Sequence, residues 1–262
     1  MALATPPMVF GLVSADASAE GDASASFEQL AAWLREHAEL ELSRKTAASY
    51  KDLMASVREG STDVAWIPPV VYAWLAEAVD PVGCIVRGGK TSYSAALTVL
   101  PDSTIAAVDD LHGAKAGWVD PWSAAGYVVP RIELMRAGFD PRRFVSEKFY
   151  GSHAAALRAL RRRDCDVVCT FDGAWLQAPA LEVRVLETYG PIPTDVIAVR
   201  RNLPAASYEQ VRSAFRAACA DQAARPLVRA VFGGDELREG ALEGHEALRI
   251  RYDGALAQGL FD

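Results

Sequence analysis

Five short segments place hydroxyl, aromatic or imidazole side chains at the predicted start of a helix or a strand. They are Ser49-Tyr50, Tyr93-Ser94, and residues 120–127, 150–153 and 190–195. α/β proteins bind small ligands where strands meet helices, because a helix N-terminus presents unbonded N–H groups and the positive end of the helix dipole. The segments therefore predict a binding site for a small ligand.

Each of these residues also has a purely structural interpretation. Ser123 and Ser152 are placed to cap helices through their hydroxyl oxygens. The tyrosines, such as Tyr50, are of a type that packs half-buried. His153 suits a solvated position in a first helical turn, and Asp195 suits an Asx turn. Taken singly, none of them separates a binding site from ordinary structure, so their order along the chain has to decide.

Short apolar runs alternate with segments of helical period, the pattern of an α/β protein with mainly parallel strands. Strands are predicted at 9–13, 63–67, 95–100, 116–119, 166–170, 183–188 and 195–199. Helices are predicted at 27–37, 50–59, 70–78, 124–137, 154–163, 208–223 and 226–232. No flexible tether is evident in the sequence, so two lobes would have to be joined by plain strands. Residues 233–262 are expected to form a packed tail.

Five ordered motifs run through most of the chain, from about Val9 to about Phe232. They are Asp63-Val64-Ala65-Trp66, Tyr93-Ser94, Asp120-Pro121-x-Ser123-x-x-Gly126-Tyr127, Gly151-Ser152-His153 and Ile192-Pro193-x-Asp195. In order and spacing they resemble the phosphonate-, phosphate- and phosphite-binding proteins of ABC transporters.

The resemblance implies a two-lobed periplasmic-binding-protein type 2 fold. Each lobe would be α/β, with mixed, mainly parallel sheets flanked by helices and a ligand cleft between lobes that close by hinge motion. Residues 8–97 and 197–262 would form the first lobe, and residues 98–196 the second. The implied function is a non-catalytic solute-binding protein for a small anionic or organic ligand, with an ABC permease as partner.

The resemblance also implies residue roles. It assigns Tyr50, Tyr93, Ser123 and His153 to the oxyanion end of the ligand, and Asp195 to an amine or hydroxyl at the other end. The expected ligand-binding residues are Tyr50, Trp66, Tyr93, Trp122, Ser123, Ala124, Ala125, Ser152, His153, Asp172 and Asp195.

The anion loop departs from the pattern of the family. Ser123-Ala124-Ala125 stands where the family usually has Ser-Thr-Ser, so two hydroxyl donors are missing. Each lost charge-assisted hydrogen bond weakens oxyanion binding by about 1.5–3 kcal/mol. The carboxylate that some relatives use for a ligand amine falls at Gly173, next to Asp172, which either replaces it or begins a turn.

Large aromatic rings are also expected near the cleft, from Trp66, Trp118 and Trp122. They favour a ligand that is flatter or more organic than phosphonate and still carries one acidic group. The alternative interpretation places these tryptophans in the core or between the lobes.

Composition and charge argue against several classes of protein. A net charge of −7 argues against binding to nucleic-acid phosphates, which needs a concentrated positive surface. No apolar stretch has the length of a membrane-spanning helix. The four cysteines show neither a CxxC pair nor zinc-type spacing with histidine, and no nucleotide fingerprint occurs, so no metal or cofactor is expected. Residues 1–9 lack the features of a secretory signal, so we expect a cytoplasmic protein or a periplasmic one whose signal has been removed.

Two alternative functions stay open. A cytoplasmic enzyme on the same fold, as in menaquinone-type biosynthesis, would act on a small organic acid and use His153 with Asp195 or Asp172 as its titratable pair. No nucleophile elbow or other catalytic motif supports it, so a binding protein is favoured over an enzyme. A ligand sensor recognised by a kinase is the other alternative.

Overall fold

The computed structural model describes residues 6–13, 22–177, 181–240 and 242–261 of the 262-residue chain. The strands along these residues are β1 (Met8–Val13), β2 (Leu42–Ala47), β3 (Val64–Ile67), β4 (Val79–Val86), β5 (Ser92–Val99), β6 (Lys115–Trp118), β7 (Ser146–Phe149), β8 (Val167–Phe171), β9 (Arg184–Pro193), β10 (Val196–Arg200) and β11 (Glu236–Arg238). The α-helices are α1 (Asp22–Ala38), α2 (Tyr50–Arg58), α3 (Pro69–Leu75), α4 (Val129–Arg136), α5 (His153–Arg161), α6 (Ala205–Ala220), α7 (Arg225–Phe232) and α8 (Glu243–Ala257).

The described residues fall into two compact units. The first comprises those of Met1–Thr91 and Thr194–Glu243, and the second those of Ser92–Pro193 and Gly244–Asp262. The expected boundaries at 97/98 and 196/197 therefore shift. The first shift has a clear cause, because β5 pairs with β9 from end to end and its whole length belongs to one sheet.

The end of the chain belongs to the second unit, which corrects the expectation that 197–262 lies wholly in the first lobe. Two polar contacts attach it. The Nε of Arg131 donates to the carbonyl oxygen of Leu260 at 2.8 Å, and Arg251 of α8 forms an ion pair with Glu133 of α4. The expected packed tail is therefore largely a helix that packs on the second unit.

The first unit contains a six-stranded mixed sheet in the order β11-β4-β10-β3-β1-β2. β1 is parallel to both β2 and β3, whereas β10 is antiparallel to β3 and β4. α1, α6 and α7 bury the main apolar cluster against this sheet. The ring of Phe10 contacts those of Phe27, Phe215 and Phe232 there. All four residues of β3 are buried, as expected for an inner strand covered on both faces.

The second unit contains a five-stranded mixed sheet in the order β7-β6-β8-β5-β9. β6 is parallel to β7 and β8, and β5 is antiparallel to β8 and β9. α5 packs Leu157 and Leu160 into an apolar cluster with Val168 of β8. The expectation of mixed sheets flanked by helices is confirmed in both units. The sheets are not mainly parallel as expected, because four of their strand pairs are parallel and five are antiparallel.

Every predicted strand and helix has a counterpart in the structure, but β2, β4, β7, β11 and α8 were not predicted. β2, β7 and β11 lie at sheet edges, where few side chains are buried and an apolar run is not needed. β4 was not recognised because Pro81 and Gly83, which are unfavourable in strands, interrupt its apolar run. Residues 190–193, which the sequence placed before the predicted strand at 195–199, continue β9 instead. No helix among the described residues is long and apolar enough to cross a membrane.

Candidate ligand-binding site

The carboxyl ends of three neighbouring parallel strands meet at one edge of the second unit's sheet. β6 lies between β7 and β8, with Trp118 opposite Phe149. Two backbone hydrogen bonds join the turns that follow β6 and β7. The N–H of Tyr150 donates to the carbonyl of Trp118 at 2.9 Å, and that of Gly151 donates to Val119 at 2.8 Å. Two strand-to-helix turns therefore lie side by side, and each leads to the start of a helix.

Ser123 closes the turn after β6. Its Oγ accepts a hydrogen bond from the N–H of Gly126 at 3.1 Å, and its side chain is buried. A π-helical turn, Ala124–Val128, follows, a feature that is frequent at functional sites. A Cβ at Gly126 would lie 2.3 Å from a methyl carbon of Val119, so this turn can approach the strand end only with glycine there.

The neighbours of Ser123 determine what the turn offers an anion. Asp120 Oδ1 accepts from the N–H of Trp122 at 2.8 Å, and burial raises the pKa of the Asp120 carboxyl, although this hydrogen bond opposes the rise. Ala124 and Ala125 are 3% and 2% exposed. The turn therefore offers backbone N–H groups and the Ser123 hydroxyl, without the two further hydroxyls usual in the resembled family.

Ser152 closes the turn after β7. Its Oγ accepts from the N–H of Ala155 at 3.1 Å, which caps α5. His153 is the first residue of α5, and its ring lies 4.9 Å from the ring of Phe171 at an interplanar angle of 64°. The end of β8 therefore positions the imidazole beside the helix N-terminus.

Tyr93 and Asp172 complete this edge. Because β5 runs antiparallel to β8, the start of β5 lies beside the end of β8, and the N–H of Asp172 donates to the carbonyl of Ser94 at 2.8 Å. Tyr93 is half-buried, whereas Asp172 is exposed and stands before Gly173, whose φ is +84°. Asp172 therefore begins a turn, one of the two roles that the sequence left open for it.

The second unit brings most of the expected ligand-binding residues to one sheet edge. They are Tyr93, Trp122, Ser123, Ala124, Ala125, Ser152, His153 and Asp172. Their contacts with a ligand stay predictions.

Tyr50 and Trp66 belong to the first unit. Tyr50 is the first residue of α2, 2% exposed, and follows Ser49, whose Oγ accepts from the N–H of Asp52 at 3.1 Å. Trp66 lies in β3 and packs edge-on against Phe232 at 5.3 Å within the core cluster. Its buried Nε1 finds no hydrogen-bond partner among the residues that the structure describes. A ligand role for either residue stays a prediction. The indole N–H is the group through which Trp66 would bind a ligand oxygen.

Asp195 lies directly before β10, at the sheet edge where β3 and β4 end. Its carboxylate forms an ion pair with Arg87, which follows β4. Arg87 is absent from the residues expected from the sequence. Residues 87–90 include two glycines, a sequence signal for a turn that could have drawn attention to Arg87. Because β4 was not predicted, this turn could not be placed in the fold.

Trp118 is a core residue of the second unit. It is 1% exposed, its Nε1 donates to Glu147 Oε2 at 2.7 Å, and its ring lies edge-on against Tyr127 at 5.5 Å. Trp122 is half-buried, and its ring lies 6.2 Å from that of Tyr252 in α8. For Trp118, the alternative interpretation as a packed core residue is therefore the correct one.

The cysteines are not set up as nucleophiles. Burial, together with the nearby Asp195 carboxylate, raises the pKa of the Cys84 thiol from 9.0 to about 11. Burial also raises the pKa of Cys165 to about 11. Both are therefore neutral thiols at physiological pH, and the thiolate is the reactive form.

A family model described as the periplasmic substrate-binding protein of the phosphonate ABC transporter matches residues 12–241. The phosphate-import protein PhnD of Mycolicibacterium smegmatis is 25% identical over 179 residues, which cover 63% of this chain and 56% of that protein. The chain thus spans little more than half the length of this curated relative.

Two solved structures share the fold. A binding protein component of an ABC phosphonate transporter from Pseudomonas aeruginosa has a TM-score of 0.81 at 19% identity, covering 95% of this chain and 88% of that chain. PhnD1 from Prochlorococcus marinus, in complex with methylphosphonate, has a TM-score of 0.81 at 12% identity, covering 95% and 98%. Identities this low show the fold alone. The two structures confirm the expected type 2 periplasmic-binding-protein fold.

The match to the family model includes every expected ligand-binding residue, from Tyr50 to Asp195. It also extends over most of the chain, as the ordered sequence motifs do. The chain therefore belongs to the phosphonate family of periplasmic substrate-binding proteins of ABC transporters.

Proposed function

We propose that this protein binds phosphate or a simple phosphonate and delivers it to the permease of an ABC transporter. The observation that carries the proposal is the pair of adjacent helix N-termini in the second unit, capped by Ser123 and Ser152. Backbone N–H groups and the positive ends of helix dipoles favour a multiply charged oxyanion. His153, at the start of α5, adds a donor beside them.

The packing of the tryptophans favours a compact oxyanion over the flatter, more organic ligand. Trp66 and Trp118 are 4% and 1% exposed and pack among core residues of their own units. Trp122 is left as the half-buried ring next to the Ser123 turn. One such ring provides less reason for a flat ligand than three would.

The anion loop sets the expected strength of binding. Ala124 and Ala125 leave the backbone N–H groups in place but supply no hydroxyls. Each missing charge-assisted hydrogen bond is worth about 1.5–3 kcal/mol. We therefore expect each missing hydroxyl to lower oxyanion affinity by roughly one to two decades, relative to the same loop with that hydroxyl.

Membership of the family supports the remaining parts of the proposal. The family is the periplasmic component of a transporter, so its partner is an ABC permease and its ligand a small molecule. We therefore propose the periplasm as the place of action and uptake as the process, in preference to sensing.

Thermal unfolding in the presence of candidate ligands tests the proposal, because a ligand that binds the folded state raises its stability. Phosphate or methylphosphonate should give a saturable increase in melting temperature, whereas acetate should give none. ³¹P NMR of the same samples should recover the phosphonate unchanged. Stabilisation by organic acids alone, or conversion of the ligand, would contradict the proposal.

Matched variants separate binding from stability. Ser152→Ala removes the cap of α5, whereas Asp221→Ala removes the acceptor of two hydrogen bonds in the turn before α7, since Asp221 Oδ1 accepts from the N–H groups of Ala223 and Ala224. Both should lower stability by about 1 kcal/mol. Loss of oxyanion affinity is expected for Ser152→Ala alone, and equal loss in both variants would count against the site.

A further inference from the structure

Arg87 neutralises the carboxylate of Asp195 within the first unit. Its Nη2 forms the ion pair and also donates to the carbonyl oxygen of Phe232 at 3.0 Å. The Asp195 side chain is 11% exposed and that of Arg87 is 31% exposed. A mostly buried carboxylate therefore has its counter-ion supplied by the protein itself.

The surrounding backbone holds both partners in place. The carbonyl of Asp195 accepts from the N–H of Ile85 at 2.9 Å, which ties the start of β10 to β4. Arg87 and Lys90 exchange two backbone hydrogen bonds, at 2.9 and 3.1 Å, and close a tight turn. A Cβ at Gly233 would lie 3.3 Å from Arg87 Nε, so the guanidinium rests against the end of α7. These contacts fix the positions of both partners, so the ion pair is held by the structure around it.

The pair changes what Asp195 can do for a ligand. An unpaired carboxylate with little exposure would attract a ligand ammonium group and repel an anion. Paired with a guanidinium, it does neither strongly. Discrimination between ligands with and without an ammonium group depends on whether that carboxylate is available.

We propose that Arg87 is a specificity-determining residue, which occupies the cation position of Asp195 and makes the protein select phosphorus oxyanions that carry no ammonium group. This inference rests on the proposed function and on the expected role of Asp195 at the ligand, and it names the ligand class more narrowly. It replaces the role expected for Asp195, in which the carboxylate holds a ligand amine.

A pair of ligands of equal size tests it. Propylphosphonate and 2-aminoethylphosphonate differ by a methyl group in place of an ammonium group. Calorimetry should show that the wild type binds propylphosphonate at least as tightly as 2-aminoethylphosphonate. Arg87→Met should shift the affinity ratio at least tenfold toward the amine, and the double variant Arg87→Met/Asp195→Asn should return it to the wild-type value.

Arg201→Met is the matched control. Arg201 pairs with Asp80 at 3.0 Å, at the far end of the same two strands, so its loss removes an Arg–Asp pair without touching Asp195. The affinity ratio should stay unchanged in this variant. Arg87→Lys, which keeps the positive charge, should also keep the wild-type preference.

The outcomes separate this inference from the proposed function. A wild type that prefers the amine tenfold or more, or an unchanged ratio in Arg87→Met, would overturn the role of Arg87 while leaving phosphonate binding intact. Failure of the wild type to bind either phosphonate would overturn the role of Arg87, and failure to bind phosphate as well would overturn both. The double variant carries no uncompensated charge, so it keeps the test valid should Arg87→Met alone fold poorly.

Discussion

The ring of Tyr252 in α8 lies 6.2 Å from the ring of Trp122, the residue that precedes the Ser123 cap. Tyr252 also stacks on Phe261 at 5.1 Å and is 5% exposed. The last helix of the chain thus supports the turn that we propose binds the oxyanion. The C-terminal segment therefore contributes to the geometry of the site as well as to stability.

Removal of the Tyr252 ring should lower both the stability of the fold and the affinity for phosphate. We expect Tyr252→Ala to lower the free energy of unfolding by about 3–5 kcal/mol, the usual cost of truncating a buried aromatic residue. Phosphate affinity should also fall, whereas Tyr252→Phe should retain it. Urea unfolding and calorimetry measure the two effects. Tyr208→Ala in the first unit is the control, and an affinity in Tyr252→Ala no weaker than in this control would refute the support role.

Restoration of a hydroxyl in the anion loop should strengthen binding. Ala125→Ser buries a hydroxyl that only a ligand oxygen is expected to satisfy, so the ligand-free protein should lose roughly 1–3 kcal/mol of stability. Phosphate affinity should rise about tenfold. Ala156→Ser in α5, at an equally buried alanine, should lower stability with no gain in affinity. A gain in both variants, or in neither, would argue against this loop as the oxyanion site.

Gly126→Ala should damage the same turn through crowding. The new Cβ would lie 2.3 Å from the Val119 side chain, so the turn has to move, at a cost of about 1–3 kcal/mol. Phosphate binding should weaken with it. Gly254→Ala in α8 is the matched control, because its Cβ meets nothing within 4 Å and a helical alanine should add about 0.5–1 kcal/mol. Melting temperatures that move the same way in the two variants would contradict the geometry.

Stability should fall in alkaline solution. The thiols of Cys84, Cys165 and Cys219 have their pKa raised by burial from 9.0 to about 11. The unfolded chain therefore loses these protons first, so their stabilisation is complete below pH 9 and is lost as the pH rises toward 11. Buried Tyr127 and Tyr189, whose pKa values are also raised, act in the same direction.

The urea midpoint between pH 8 and pH 11 measures this effect. Cys219→Ser removes one of these thiols and should make the fall of the urea midpoint with pH shallower. A midpoint that stays constant over this range, or an identical slope in the variant, would show that these thiols titrate alike in the folded and unfolded chain.

Much of the fold was predictable because its inner elements carry their own signals. Residues 64–67 and 167–169 are short apolar runs, since strands buried on both faces need mainly apolar side chains. Ser123 and Ser152 were recognisable as helix caps, and both caps are present. The ordered motifs that include these residues also identified the family correctly.

The alternation of strands and helices, the caps and the family could thus be predicted from residue order, because they depend on local patterns of residue type. Tertiary structure alone decided where the distant parts meet. Arg87 and Asp195 are 108 residues apart, and Arg251 and Glu133 are 118 apart, so no local pattern links them. Edge strands such as β7, with all its side chains exposed, are held by the backbone ladder of a neighbour and leave almost no apolar trace in the sequence.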